Sequence, residues 1–365
     1  MYIHQLKGWP SFTWDTEAIL IRLGEVRHRQ GHILGLMSSA GFKLKENALL
    51  DTLTLDVTKS SEIEGEKLDS DQVRSSIARR LGIEIAGAVS ADRNVEGVVE
   101  MMLDATQKYT DVLTADRLFD WHAALFPTGR SGMHKITVAA WRTPEAGPMQ
   151  VVSGAMGKEK IHFEASEAER LSGEMEIFLN WLNAESNTDA VLEAAIAHLW
   201  FVTIHPFDDG NGRIARAITD MLLARADGTS QRFYSMSAQI MKEKAAYYHI
   251  LESTQKGSLD ITPWLKWFLD CLYYAMDHTE ETLSAVAKRT RFWDKHRETI
   301  LNSRQQQMVT ALLDEFYGKL TSTKWAKMTK SSPDTALRDI QDLIEKGILE
   351  KETGGGRNTA YSIIA

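Results

Sequence analysis

The run AVLEAAIAHLWFVTI, Ala190 to Ile204, carries one carboxylate and one imidazole among fifteen residues. It is too short and too interrupted for a membrane span, so it reads as a core helix. Directly after it comes HPFDDGNGR, His205 to Arg213, with a histidine, two acids, two glycines, an asparagine and an arginine. Polar chemistry is thus concentrated at the end of a buried segment. Glycines spaced G-x-G let backbone N–H groups approach an anion, and a helix that follows aims its positive end there. Histidine titrates near neutrality, aspartate and asparagine suit a hard cation, and arginine grips phosphate oxygens. These ingredients suit a nucleoside triphosphate with magnesium and a proton to be removed.

At 365 residues the chain is long for one core, and its 43% hydrophobic and 25% charged residues are those of a soluble globular protein. A single cysteine, Cys271, excludes an internal disulfide framework and a cysteine-based zinc site. The opening MYIHQLKGWP has neither a basic start nor an apolar stretch, so the expectation is a cytoplasmic protein without a membrane partner. The net charge of −8 argues against a surface that coats nucleic acid. From Arg291 onward, however, 12 Lys and Arg stand against 10 Asp and Glu, a net of +2, which leaves −10 for the rest.

Helical periodicity dominates: 15–42, 48–65, 91–109 and the short 114–127, with Thr114 as N-cap, all read as helices. So do 164–185, 213–226, 245–257 and 262–279. The one β-rich stretch is KITVAAWRTPEAGPMQVVSG, Lys135 to Gly154, expected to form a hairpin whose arms flank TPEAGP. In the last part, 303–318, 321–330 and 331–347 read as helices. The third has Ser332 as N-cap, Pro333 in the first turn and Gly347 at its close. ILEKETGGGRNTAYSII then reads as two short strands about a glycine-rich turn. Three helices and a terminal hairpin make a winged helix-turn-helix pattern, whose third helix is placed for a major groove. Double-stranded DNA is therefore a candidate partner, and protein is the alternative.

The stretch HPFDDGNGRIAR, His205 to Arg216, matches every fixed position of HPFx[D/E]GNGRxxR and so resembles the signature of the Fic family. That resemblance implies a mainly α fold with a β-hairpin flap, an N-terminal helical region over 1–95, a catalytic domain over 96–290 and a winged helix over 291–365. It also implies transfer of AMP from ATP to a Ser, Thr or Tyr hydroxyl of a protein, the chain itself included. His205 would be the general base and Asp209 the ligand of Mg2+, with Asp208 at a variable, solvated position. Gly210, Asn211 and Gly212 would form the anion-binding turn, the asparagine adding its side-chain amide. Arg213 and Arg216 share one helix face and would hold phosphate oxygens. No GK[ST] follows a glycine loop, so the nest is not a P-loop. A tyrosine lining the adenine pocket is expected at Tyr248 rather than its neighbour Tyr247, since adjacent helical residues point about 100° apart.

A second stretch, SSEIEG from Ser60 to Gly65, resembles the inhibitory motif [S/T]xxxE[G/N] of many Fic proteins. Glu64 would then pair with Arg216 where the γ-phosphate belongs, so that ATP binds with its α-phosphate turned from in-line attack. Three functions follow in order: an autoinhibited AMP transferase, an enzyme that removes AMP, and a DNA-binding regulator whose Fic domain senses nucleotide. Exposed N-terminal helical faces are candidates for a homodimer contact.

Overall fold

Asp189 caps the central apolar helix by accepting from the Val191 N–H, and thirteen of the helix's fifteen residues are buried. The computed structural model describes residues 1–38, 41–85, 87–153, 160–313, 319–352 and 359–364. They fall into two compact units, Met1–Thr279 and Glu280–Ala365.

The first unit begins with α1 (Thr16–Ser38), α2 (Phe42–Ile63), α3 (Ser70–Leu81), α4 (Arg93–Gln107) and α5 (Ala115–Leu125). Two small antiparallel pairs follow: β1 (Arg130–Ser131) with β2 (His134–Lys135), and β3 (Gln150–Ser153) with β4 (Lys160–Glu164). After them come α6 (Leu171–Asn183), α7 (Ala190–Ile204), α8 (Asn211–Asp227), α9 (Met236–Lys242), α10 (Lys244–Gln255) and the part of α11 (Thr262–Lys295) up to Thr279; the rest of that helix belongs to the second unit. Side chains close the helix starts: the expected cap Thr114 for α5, and also Asp69 for α3 and Asp92 for α4, each accept from first-turn N–H groups. Solvent is excluded from nearly all of α7, which packs chiefly against α8 and also against α6.

The hairpin differs from its expected form. TPEAGP does not join two arms; a 3-10 turn at Pro144–Ala146 leads into β3, and residues 136–143 are not strand. The arms are β3 and β4, paired from Gln150↔Glu164 to Ser153↔Lys160 with a bulge between Val151 and Val152. The connection at 154–159, including the expected end at Gly154, lies outside the described residues. The cause is upstream: Arg142 is buried and its N–H donates to the Pro206 carbonyl, which ties this stretch to the motif loop instead of to a partner strand.

The second unit contains α12 (Ser303–Leu313), β5 (Leu320–Thr321), α13 (Ser322–Thr329), α14 (Pro333–Glu345), β6 (Leu349–Lys351) and β7 (Ala360–Ile363). Its sheet is antiparallel in the order β5-β7-β6, over a core that includes Met308, Trp325, Ile340, Leu343 and Leu349. β5 is a strand the apolar pattern did not announce. Ser332 caps α14 through the Thr335 N–H, and Gly347 takes a φ of 68° after it. Residues 314–318, part of the expected first helix, and the turn at 353–358 lie outside the described residues.

Candidate active site

His205 stands one residue past α7 with φ 55° and ψ 61°, a left-handed conformation few side chains adopt. Its N–H still closes the last turn on the Phe201 carbonyl at 2.9 Å. Its Nδ1 lies 3.2 Å from the Val202 carbonyl, which can only accept, so Nδ1 carries the proton. Nε2 is then the unprotonated, basic nitrogen. Burial lowers the His205 pKa below the ordinary imidazole value. The Val202 hydrogen bond, Glu64 and Asp209 raise it, and the Arg142 charge lowers it further. The neutral, proton-accepting form is favoured.

The loop after His205 is held by its own side chains. Phe207 is fully buried and stacks on His122 with centroids 4.2 Å apart. The Asn211 amide donates to the Phe207 carbonyl at 2.8 Å and accepts from the Phe207 N–H at 3.0 Å. Asn211 therefore spends its side chain on shaping the loop, rather than offering that amide to an anion. Asp208, expected in solvent, accepts from the Thr137 N–H at 2.8 Å. Asp209 accepts from the Gly210 N–H at 2.6 Å and, through its other oxygen, from the Ser131 hydroxyl. His122, which the sequence reading passed over, places Nε2 3.2 Å from the Asp209 carbonyl and Nδ1 3.3 Å from the Ala139 N–H. Burial brings its pKa to about 4, so it is a neutral brace.

Gly210 opens α8 with φ 80° and supplies no capping side chain, so the positive helix end faces outward from the loop. The next glycine has a different reason. A Cβ on Gly212 would collide with the Glu64 carboxylate and crowd Arg216 Nη1. Glu64 thus lies directly over the first turn of α8.

Arg216, 2% exposed, gives Nη2 to Glu64 Oε1 at 2.8 Å and to the Ser60 carbonyl at 2.8 Å, and Nε to the Ser60 hydroxyl at 2.8 Å. Burial works against the cation, but Glu64 outweighs it and raises its pKa. Arg213 pairs with Glu66 at 2.8 Å and lies over the Phe126 ring. Glu66 is an acid the sequence reading missed; its only signal was its place two residues after Glu64. Arg213 Nε is buried without a hydrogen-bond partner among the described residues, and Arg216 Nη1 has none there beyond the approach of its guanidinium to Tyr247. These are the atoms that an oxyanion would satisfy. The helix that brings the two acids is itself anchored: buried Asp56 on α2 accepts from Ser235 at 2.5 Å, beside the buried Arg232–Asp220 pair.

Glu64, His205 and Gly212 border a cavity of about 640 Å³, walled by the β3–β4 hairpin through Val151, Val152 and Phe163 and by α10 through Tyr247 and Tyr248. Tyr247 is buried. Thr219 donates to the Ala215 carbonyl, so His198 Nδ1–H donates to the Thr219 hydroxyl and His198 Nε2 accepts a hydrogen bond from the Tyr247 hydroxyl. Tyr248 is 39% exposed, and its hydroxyl reaches the Ile63 carbonyl at 3.4 Å. Of the two, Tyr248 is the ring left accessible to a ligand. The β3–β4 hairpin is tied to α10 by His162 and Glu252, 2.7 Å apart. Among the described residues no cluster of three or more His, Cys, Asp or Glu could hold a metal, so a cation here would rest on Asp209 and on its ligand's own oxygens.

Residues 112–223 match the Fic/DOC family, and residues 2–83 match a domain of unknown function, DUF4172. The chain is 27% identical over 226 residues to the protein adenylyltransferase Fic of Drosophila virilis, covering 59% of this chain and 40% of that one. The Drosophila melanogaster protein of the same name is also 27% identical, with 59% and 39% covered. The chain thus spans about two fifths of the length of these curated relatives. A Fic family protein from Desulfovibrio desulfuricans G20 superposes with a TM-score of 0.55 at 19% identity, over 96% of this chain and 97% of that one. A Fic domain containing signaling protein from Bacteroides thetaiotaomicron gives 0.52 at 17% identity, over 72% and 98%. These two likenesses establish a shared fold.

Proposed function

We propose, from the premise that this chain carries a Fic/DOC domain over residues 112–223, that it is a protein adenylyltransferase held in check by its own α2. The observation that carries this is the occupied arginine pair, with Glu64 on Arg216 and Glu66 on Arg213, beside a neutral, oriented imidazole at His205. The Drosophila relatives are named protein adenylyltransferases, which supports this reading.

In the proposed reaction the hydroxyl oxygen of a Ser, Thr or Tyr on the target attacks the α-phosphorus of ATP. His205 Nε2 accepts the hydroxyl proton as the new P–O bond forms. The bond from the α-phosphorus to the bridging oxygen breaks, and pyrophosphate leaves. The α8 N-terminus and the two arginines receive the phosphate charge, and Tyr248 packs against the base. Asp209 would hold a magnesium ion, which supplies charge neutralisation of the phosphates when bound. The β3–β4 hairpin offers extended backbone against which a target segment pairs as an added strand. ATP must displace Glu64 before its γ-phosphate reaches Arg216, and phosphate beside a carboxylate is repulsive. In that way the resting form is slow.

For the C-terminal unit, three helices and an antiparallel sheet support a winged helix-turn-helix reading. On its α14, Asp339 and Asp342 pair with Arg304 and Lys346, which leaves Arg338 against Asp334 and Glu345; with no basic surplus for DNA phosphate, the helix favours a protein partner.

Mass spectrometry of the purified protein after incubation with Mg-ATP tests the central reading. An added AMP on a hydroxyl side chain, absent from His205→Ala, is expected. A Glu64→Gly protein that never acquires AMP, on itself or on cell-extract proteins, contradicts it.

A further inference from the structure

Arg142 is 5% exposed and forms no ion pair among the described residues. Its Nε donates to the His205 carbonyl at 2.8 Å and its Nη2 to the Ser166 carbonyl. Its own N–H donates to the Pro206 carbonyl at 2.9 Å. Burial disfavours this cation and lowers its pKa, with Asp208, Glu174 and Glu169 pulling the other way from a distance. A buried guanidinium without a carboxylate costs free energy that an apolar residue of the same volume would not, so packing alone gives no reason for it.

The reason lies in what the three carbonyls belong to. Arg142 is in the segment that enters the β3–β4 hairpin. Ser166 is in the segment that leaves it, one residue past Ala165, whose N–H closes the hairpin base on the Met149 carbonyl at 2.9 Å. His205 and Pro206 are the start of the motif loop. One side chain and its N–H therefore gather both ends of the hairpin onto the backbone of the strained His205. The Ser166 end is in turn fixed to α6, since its hydroxyl donates to Glu174 at 3.1 Å.

We infer that Arg142 is a positioning residue for the transfer step: it locks the His205 backbone to the base of the β3–β4 hairpin, so that the imidazole and the strand offered to the target keep one mutual geometry. The inference rests on the adenylyl-transfer reading above and on the left-handed conformation at His205, which a neighbouring clamp must hold. With Nδ1 tied to Val202 and the carbonyl tied to Arg142, the imidazole has one orientation. Releasing the carbonyl lets the ring drift from in-line reach of the hydroxyl. A shift of about 1 Å in such a site costs on the order of a hundredfold in rate. Nothing in this role touches ATP.

The test uses Arg142→Met and Arg142→Lys in the full chain carrying Glu64→Gly, with Glu64→Gly/His205→Ala as control. Self-transfer is followed against Mg-ATP concentration, and ATP affinity by calorimetry. Arg142→Met is expected to lower kcat by about tenfold or more with KM and ATP affinity within about twofold of the parent. Arg142→Lys, a single ammonium that reaches one carbonyl where the fork reaches two, is expected to recover part of the loss. Should Arg142→Met not fold, Arg142→Lys decides by the same split of kcat from KM. A parental kcat in either folded variant, or a matched loss of ATP affinity, overturns the inference. A His205→Ala control as active as the parent instead sinks the transfer reading itself.

Discussion

The two ends of the motif, His205 and the Arg213–Arg216 pair, are held by opposite kinds of bond. His205 is fixed by permanent neighbours: the Phe201 and Val202 carbonyls, and Arg142 on its own carbonyl. No ligand has to remove any of them, so the base is ready before substrate arrives. The arginines are fixed by carboxylates and a serine from α2. A phosphate presents the same charge and the same oxygens, so these bonds are exchangeable. One end is preorganised for chemistry, and the other is tuned to be displaced.

Breaking the fixed end has the largest expected effect. His205→Ala lowers AMP transfer by about a hundredfold or more, as for loss of a general base. ATP affinity, which belongs to the other end, stays near wild type by calorimetry. A parallel loss of ATP binding would erase the distinction between the ends. Asp209→Ala sits between them: it is expected to lower activity on the order of tenfold, partly recovered by raised magnesium, because charge neutralisation at phosphate weakens with the ligand. Activity in the presence of a chelator equal to that with magnesium would contradict that assignment. The smallest effect comes from sharpening the exchangeable end. Glu66, with 37% of its side chain exposed, pairs with Arg213 in partial contact with water. Glu66→Gln is therefore expected to raise transfer only about two- to fivefold. A loss of transfer would mean that Glu66 serves the reaction instead of restraining it.

The helices and the motif could be read from the chain because each rests on local pattern: apolar spacing, caps, and residues in fixed register. The Glu64–Arg216 pairing spans 152 residues and was legible only through the resemblance of SSEIEG to a known motif. What escaped depended on approach between distant segments. Glu66 and Arg213 are 147 residues apart, and only the docking of α2, anchored by Asp56, brings them together. Arg142 carried no signal of its own within the expected hairpin; its burial against the motif loop displaced that hairpin toward β3 and β4. Asn211 read as an anion donor because its type suits that task, but both halves of its amide go to Phe207. His122 lacked any motif, and its role comes from the stacked Phe207 ring.

The exchange of carboxylate for phosphate at Arg216 is tested most directly by Glu64→Gly. Self-transfer from labelled ATP is measured side by side for wild type, Glu64→Gly and Glu64→Gly/His205→Ala. A hydrogen bond between charged groups is worth about 1.5–3 kcal/mol, so freeing Arg216 is expected to raise labelling about tenfold or more in Glu64→Gly. The double variant should be silent. Labelling by Glu64→Gly no faster than wild type would show that the carboxylate over Gly212 restrains nothing.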